Sequence, residues 1–159
     1  MAPEAVARHF ELQQLYTDYA LCIDADELER WPDFFAEDCA YRVTSAENYE
    51  AGLPLALIYA TSKGMLRDRV AALREANIYE PQRYRHFISC LKVAEQPDGA
   101  VAAVAHVMVV RIMQDGAMSL FAVGRYIDRV ERRGSDWKFT AKTVVLDSRT
   151  IDTLLAIPL

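Results

Sequence analysis

Three long runs rich in β-branched and aromatic residues follow one another late in the chain, and they restrict the fold more than any other feature. Val101–Gln114, Met118–Arg132 and Trp137–Asp147 are separated only by Asp115-Gly116-Ala117 and by Arg133-Gly134-Ser135-Asp136. Asp-Gly between such runs is a hairpin signal, and the second break has turn composition. Tyr84–Ala94 and the Gln96-Pro97-Asp98-Gly99 turn precede them. The pattern predicts an antiparallel meander of strands too long to lie flat, because twisted sheets of this length curl. Gly124, at mid-strand, is the expected bend. Val101–Gln114 is almost continuously apolar, as expected of a strand covered on both faces.

The first quarter reads differently. Leu12, Leu15, Tyr16, Tyr19, Ala20 and Ile23 recur at helical spacing and predict one buried stripe on a long helix. Asp24-Ala25-Asp26-Glu27 has the form of a capping box, with Asp24 as N-cap of a short second helix carrying Leu28 and Trp31. Pro32 interrupts that helix. Trp31, Phe34 and Phe35 form an aromatic cluster suited to plugging one end of a sheet. Cys39–Thr44 predicts a short strand with Tyr41 and Val43 on one face and Arg42 and Thr44 on the other. Ser45–Leu53 reads as a polar loop and Leu55–Ala60 as a second short strand. Thr61 or Ser62 caps a helix that buries Leu66, Val70 and Leu73 and stops at Asn77.

Helices followed by a strand meander define an α+β class. The expected architecture is a cone-shaped, strongly curved antiparallel sheet packed on N-terminal helices. Residues 1–159 form one domain in this reading: helical over 1–38, short strands and a helix over 39–78, the curved sheet over 84–147 and a tail over 148–159.

A net charge of −5 and the lack of a basic tail argue against nucleic-acid and anionic-membrane partners. The N-terminus has no basic and apolar leader pattern, and the longest apolar run, Ala100–Val110, is too short to span a bilayer. The three cysteines, Cys22, Cys39 and Cys90, are widely spaced and form no C-x-x-C pair, which predicts reduced, buried thiols in a cytoplasmic protein.

His9, His86 and His106 are the only histidines. They show neither H-x-x-E-H nor H-E-x-x-H spacing, and no Cys-x-His or Cys-x-x-His motif exists for a Rieske cluster. No phosphate loop or nucleophile elbow is present. The expectation is no catalytic, cofactor-binding or metal-binding residue on this chain. One alternative remains open: an acid–base pair inside the cone, of His86 or His106 with Asp24, Asp26 or Asp128, would suit a stand-alone dehydratase or isomerase. A small-ligand binder using the same pocket is a third possibility. Against both stands a histidine simply satisfied within a sheet. Tyr41, Tyr126 and Trp137 read as core or rim aromatics.

Met65–His86 concentrates five arginines, Arg67, Arg69, Arg74, Arg83 and Arg85, among Tyr79 and Tyr84. That composition suits a protein–protein interface. It suits equally a solvated helix face followed by a turn at Pro81.

The block L-R-E-A-N-I-Y-E-P-Q-R-Y-R-H (Leu73–His86), with D-A-D-E-L-E-R-W-P-D-F-F-A-E-D-C-A-Y-R-V (Asp24–Val43) and the ending V-L-D-S-R-T-I-D-T-L-L-A-I-P-L (Val145–Leu159), resembles the small, beta subunits of aromatic-ring-hydroxylating Rieske dioxygenases. The likeness runs to enzymes acting on carboxylated aromatics, terephthalate among them. It implies the nuclear-transport-factor-two-like cone and a structural, non-catalytic subunit. It places the Rieske [2Fe-2S] cluster and the mononuclear Fe(II) on a partner large (alpha) subunit, in a hexamer of three large and three small chains. An NAD(P)H-dependent reductase would feed electrons to the holoenzyme, which adds both atoms of O2 to the ring to give a cis-dihydrodiol. Under this resemblance Arg67, Arg69, Arg74, Tyr79, Arg83, Tyr84 and Arg85 are expected at subunit contacts.

Overall fold

The computed structural model describes residues 2–75, 80–148 and 155–159. Helix α1 spans Pro3–Asp24, with proline at its first turn and Glu4 facing the positive end of the helix dipole. Its buried stripe holds Leu12, Tyr16, Tyr19, Ala20 and Ile23, as the spacing predicts, together with Cys22.

The helix ends where a second one was expected to begin. Asp24 is the last residue of α1, not an N-cap. Asp26 turns left-handed at φ 59°. The Glu27 N–H then donates to Cys22 O, and the Asp26 N–H to Ile23 O. These are the paired bonds of a Schellman C-cap. The capping-box residues therefore close a helix, and Leu28 lies in a turn that leads into a single 3-10 turn at Trp31–Phe34.

Six strands form one sheet: β1 (Phe35–Ser45), β2 (Ile58–Ala60), β3 (Gln82–Glu95), β4 (Val101–Met113), β5 (Met118–Arg133) and β6 (Asp136–Leu146), ordered β2-β1-β6-β5-β4-β3. The late meander is antiparallel, as expected, but the sheet is mixed. β1 is longer than predicted, begins inside the stretch expected to be helical, and runs parallel to β6 from Ala40↔Ala141 to Ser45↔Leu146. No tight turn connects these two strands, so nothing local imposes the antiparallel sense. The stretch expected to be a polar loop contains helix α2 (Ala46–Glu50), capped by the Ser45 hydroxyl accepting from the Asn48 N–H at 3.1 Å. Helix α3 (Lys63–Glu75) buries Leu66, Val70 and Leu73, and the Ser62 hydroxyl accepts from the Met65 N–H. The expected stop at Asn77 and part of the tail fall outside the described residues.

Bulges supply the curvature. β3 shifts register against β4 between Ser89 and Lys92, where Cys90 takes φ 55°. β5 shifts against β4 beside Val110, and β6 against β5 between Arg129 and Val130. α1 packs along β3 in the concave face. Beneath it, Tyr19, Phe34, Phe35, Trp31 and Tyr41 meet edge to face at centroid distances of 5.1–6.3 Å, which forms the expected aromatic plug. β4 is not covered on both faces: Ala103, Ala105, Val107 and Val109 are buried, while Val104 and His106 on the alternate face are exposed.

Gly124 is required for close approach more than for bending. A Cβ there would lie 2.0 Å from Val145 O across the β5–β6 pairing. Gly124→Ala is expected to cost about 3 kcal/mol of unfolding free energy in urea titration. Gly64→Ala, at the start of α3, meets nothing nearer than the Ser62 hydroxyl at 3.7 Å. It should leave stability unchanged or raise it slightly.

Candidate functional site

The concave face carries two polar clusters, each tying α1 to the sheet. At the C-terminal end of α1, the Asp24 carboxylate accepts the backbone N–H of His86 at 2.9 Å and faces its Nδ1 at 2.6 Å. The side chains are 0 and 4% exposed. Since a carboxylate only accepts, this contact assigns the ring proton to Nδ1. His86 packs against the edge of Tyr84, and its Nε2 has no partner among the described residues. A cleft of about 390 Å³ lies between α1 and β3, and its lining includes Asp24 and His86 together with His9, Arg85 and Cys90. The imidazole itself has no solvent exposure.

Of the possible histidine–carboxylate pairs, only this one forms. His106 is on the outer face of β4, paired across the sheet with Ser89 and Arg125. Asp26 is held by Arg74.

Asp128 meets a lysine instead. Lys142 lies opposite it in the β5–β6 register. Its Nζ is 2.9 Å from Asp128 Oδ2, with both side chains fully buried, and Tyr16 donates its hydroxyl to the same oxygen. The ammonium also sits 3.4 Å from the ring centroid of Tyr126 and 4.4–4.9 Å from those of Phe139, Tyr19 and Tyr16. Burial pushes Lys142 down to about 8 and raises Asp128, in each case against the attraction of the other. Burial also raises the Tyr16, Tyr19 and Tyr126 hydroxyls well above the usual tyrosine range. Strict alternation puts Phe139 and Lys142 on opposite faces. The register shift near Thr140 places both inside, so this cluster could be found only by locating the bulge.

The arginine-rich segment divides. Arg74 braces the turn after α1, bonding Asp26 and Glu29 at 2.7–3.2 Å. Arg69 donates to Leu155 O at 3.1 Å. Arg67 is exposed and lies 3.8 Å from Glu37. Tyr84 is buried against Phe121, whereas Arg83 and Arg85 are exposed on β3. Tyr79 lies outside the described residues.

Among the described residues, no three His, Cys, Asp or Glu side chains gather to hold a metal ion. His9 is on α1, His86 on the inner face of β3 and His106 on the outer face of β4, an arrangement that fits no shared ligand set. All three cysteines are free. Cys22 and Cys39 are buried, and burial pushes the Cys22 thiol up to about 11. Cys90, expected to be buried, is exposed because the left-handed bulge turns it outward.

The depressed Lys142 has a testable consequence. Between pH 8 and about 10.5 the unfolded chain holds a proton that the folded chain has released. Stability from this group therefore rises with pH across that window. The raised tyrosines oppose it above pH 10, so wild type should be compared with Lys142→Met. Chemical denaturation should show a wild-type gain from pH 8 to pH 9.5 that the variant lacks.

No helix among the described residues is long and apolar enough to cross a membrane. Residues 19–153 match the family model for the ring hydroxylating beta subunit. The chain is 40% identical to the anthranilate 1,2-dioxygenase small subunit of Burkholderia cepacia over 150 residues, covering 94% of this chain and 93% of that one. It is 41% identical to a terephthalate 1,2-dioxygenase terminal oxygenase beta subunit of a Comamonas species, covering 89% and 92%. A crystal structure assigned as the beta subunit of an aromatic-ring-hydroxylating dioxygenase from Novosphingobium aromaticivorans superposes with a TM-score of 0.89, at 37% identity and 98% and 99% coverage. The curved sheet closed on α1 is thus the nuclear-transport-factor-two-like cone, and the chain belongs to the family of ring-hydroxylating dioxygenase beta subunits.

Proposed function

We propose that this chain is the structural, non-catalytic small subunit of the oxygenase component of a Rieske non-haem iron dioxygenase acting on a carboxylated aromatic. The observation that carries the structural role is that the ionisable groups in the concave face are engaged with one another. Asp128 is held by Lys142 and Tyr16, and Asp24 by His86. The substrate class is supported by relatives named for anthranilate and terephthalate, both ring carboxylates, at 40 and 41% identity. Those figures do not separate the two, so the reading stays with the class and keeps terephthalate as one member.

In this reading the [2Fe-2S] cluster and the Fe(II) belong to a large subunit, since the scattered histidines and free cysteines here suit neither. Three large and three small chains would assemble in the cytoplasm and draw electrons from an NAD(P)H-dependent reductase. The exposed Arg83 and Arg85 on β3 are the best placed of the arginine-rich segment to reach a partner. Arg74, which braces the turn, is the least available.

Co-expression with a large subunit should yield a coloured complex that oxygenates a carboxylated arene when reductase is added, and the chain alone should be colourless and inactive. Arg83→Glu combined with Arg85→Glu is expected to lower recovery of that complex about tenfold in size-exclusion chromatography.

The formed His86–Asp24 pair favours one competing reading, a stand-alone dehydratase or isomerase. Under the structural reading, Asp24→Ala leaves a buried histidine unpaired and costs roughly 3 kcal/mol of stability. His86→Ala then leaves kcat of the assembled oxygenase within about twofold. A proton-transfer activity of the isolated chain that disappears in His86→Ala would decide for the enzyme.

A further inference from the structure

The outer face of the sheet changes character along its strands. Pairing aligns its outward side chains in rows across β3, β4 and β5. Arg83, Ile112 and Met118 form the row nearest the β4–β5 hairpin. Arg85, Val110 and Leu120 form the next, and Phe87, Met108 and Val123 the one after. The register shift beside Val110 turns Phe121 and Ala122 inward together, which leaves Leu120 and Val123 outside on either flank. Phe87 and Val123 are 52 and 40% exposed, Leu120 and Met118 68 and 74%. A single exposed apolar side chain is ordinary. Side chains this exposed, adjacent over three rows, form a patch of the kind that marks an association surface.

The same face is different further along. Arg129, outward on β5, meets Asp98 and Glu131 in ion pairs, the polar surface that an antiparallel sheet turns to water. The apolar rows are therefore a local feature and not the general finish of the sheet.

Charge narrows what can cover them. Arg83 and Arg85 end two of the rows at the β3 edge, and neither forms an ion pair among the described residues. The rows themselves hold no carboxylate. Asp115 and Asp147 border the patch from outside: the first accepts the Ala117 N–H in its own turn, and the second follows β6, beyond β5. Two copies joined face to face on a two-fold axis would bring the same rows together and offer the arginines no carboxylate within them. A partner with an apolar strip bordered by carboxylates satisfies both the rows and the arginines.

We infer that this end of the outer sheet face docks the large oxygenase subunit, through an apolar strip on that subunit flanked by carboxylates that receive Arg83 and Arg85. The surface rests on the small-subunit reading and extends the contact from the β3 edge across three strands, with Met118 and Leu120 as its most exposed apolar members.

The test uses the co-expressed complex with a tagged large subunit. Phe87→p-benzoylphenylalanine places a photoreactive ketone in the patch. Irradiation should join one small chain to one large chain, identified by mass spectrometry. Cross-links between small chains alone, or none in a complex that has formed, overturn the docking surface and leave the small-subunit reading standing. A large subunit that captures no wild-type chain overturns both.

Competition gives a second measurement. Met118 and Leu120 are largely exposed, so Met118→Ser combined with Leu120→Ser should fold as wild type does. Offered equal amounts of both folded chains, the large subunit should retain wild type in about tenfold excess. Lys92→Ser, exposed on the same face outside the three rows, should be retained as well as wild type. Equal retention of the Met118→Ser, Leu120→Ser chain overturns the docking surface.

Discussion

One helix lying in a curved sheet governs this molecule, and two buried polar ties fix it there. Tyr16 and Asp24 are eight residues apart and share one stripe of α1. The first bonds Asp128 on β5 and the second bonds His86 on β3. Apolar packing alone would let the helix slide or rotate along the groove. Hydrogen bonds to fixed partners at both points define one depth and one rotation. Burying such groups is costly unless each is satisfied, so any displacement leaves a carboxylate unpaired in the core. The Schellman turn after Asp24 and the Arg74 brace on Asp26 and Glu29 hold the same end from outside.

That arrangement also fills the interior of the cone. The concave face, where a cone would hold a small molecule, is occupied here by an ammonium ringed by aromatics and by a histidine closed off from solvent. The polar residues that suggest acid–base chemistry by their identity also tie α1 to the sheet. Their partners differ from what residue type alone invites: Asp128 takes a lysine, and His106 faces outward.

Legibility in the sequence followed the range of the interactions. The α1 stripe, the α3 stripe and the late meander were readable because their periodicity is local and uninterrupted. Asp24–Glu27 is ambiguous by itself, because the same four residues suit the start and the end of a helix. The left-handed turn at Asp26 and its paired bonds to Ile23 and Cys22 make it the end. The Lys142 site was hidden by a bulge that reverses strand phase, and the parallel sense of β1 by the lack of any turn linking it to β6. The His86–Asp24 contact was foreseen only as one of several combinations, since composition does not choose among partners. The family likeness, carried by Leu73–His86, reached further than any of these local signals.

The parallel seam between β1 and β6 also bears on how the protein is made. β1 leaves the ribosome among the first elements, but its longest pairing, to β6, must wait until almost everything else has been synthesised. Until then only the short β2 can cover one of its edges. The nascent chain therefore carries an unpaired, largely apolar strand through most of translation, the kind of segment that invites misassociation. Closing this seam joins contacts of great sequence separation, a topology that slows folding relative to one of local contacts. The charged pair Glu37 and Asp38, exposed on that strand, places like charge where a stray strand would otherwise add.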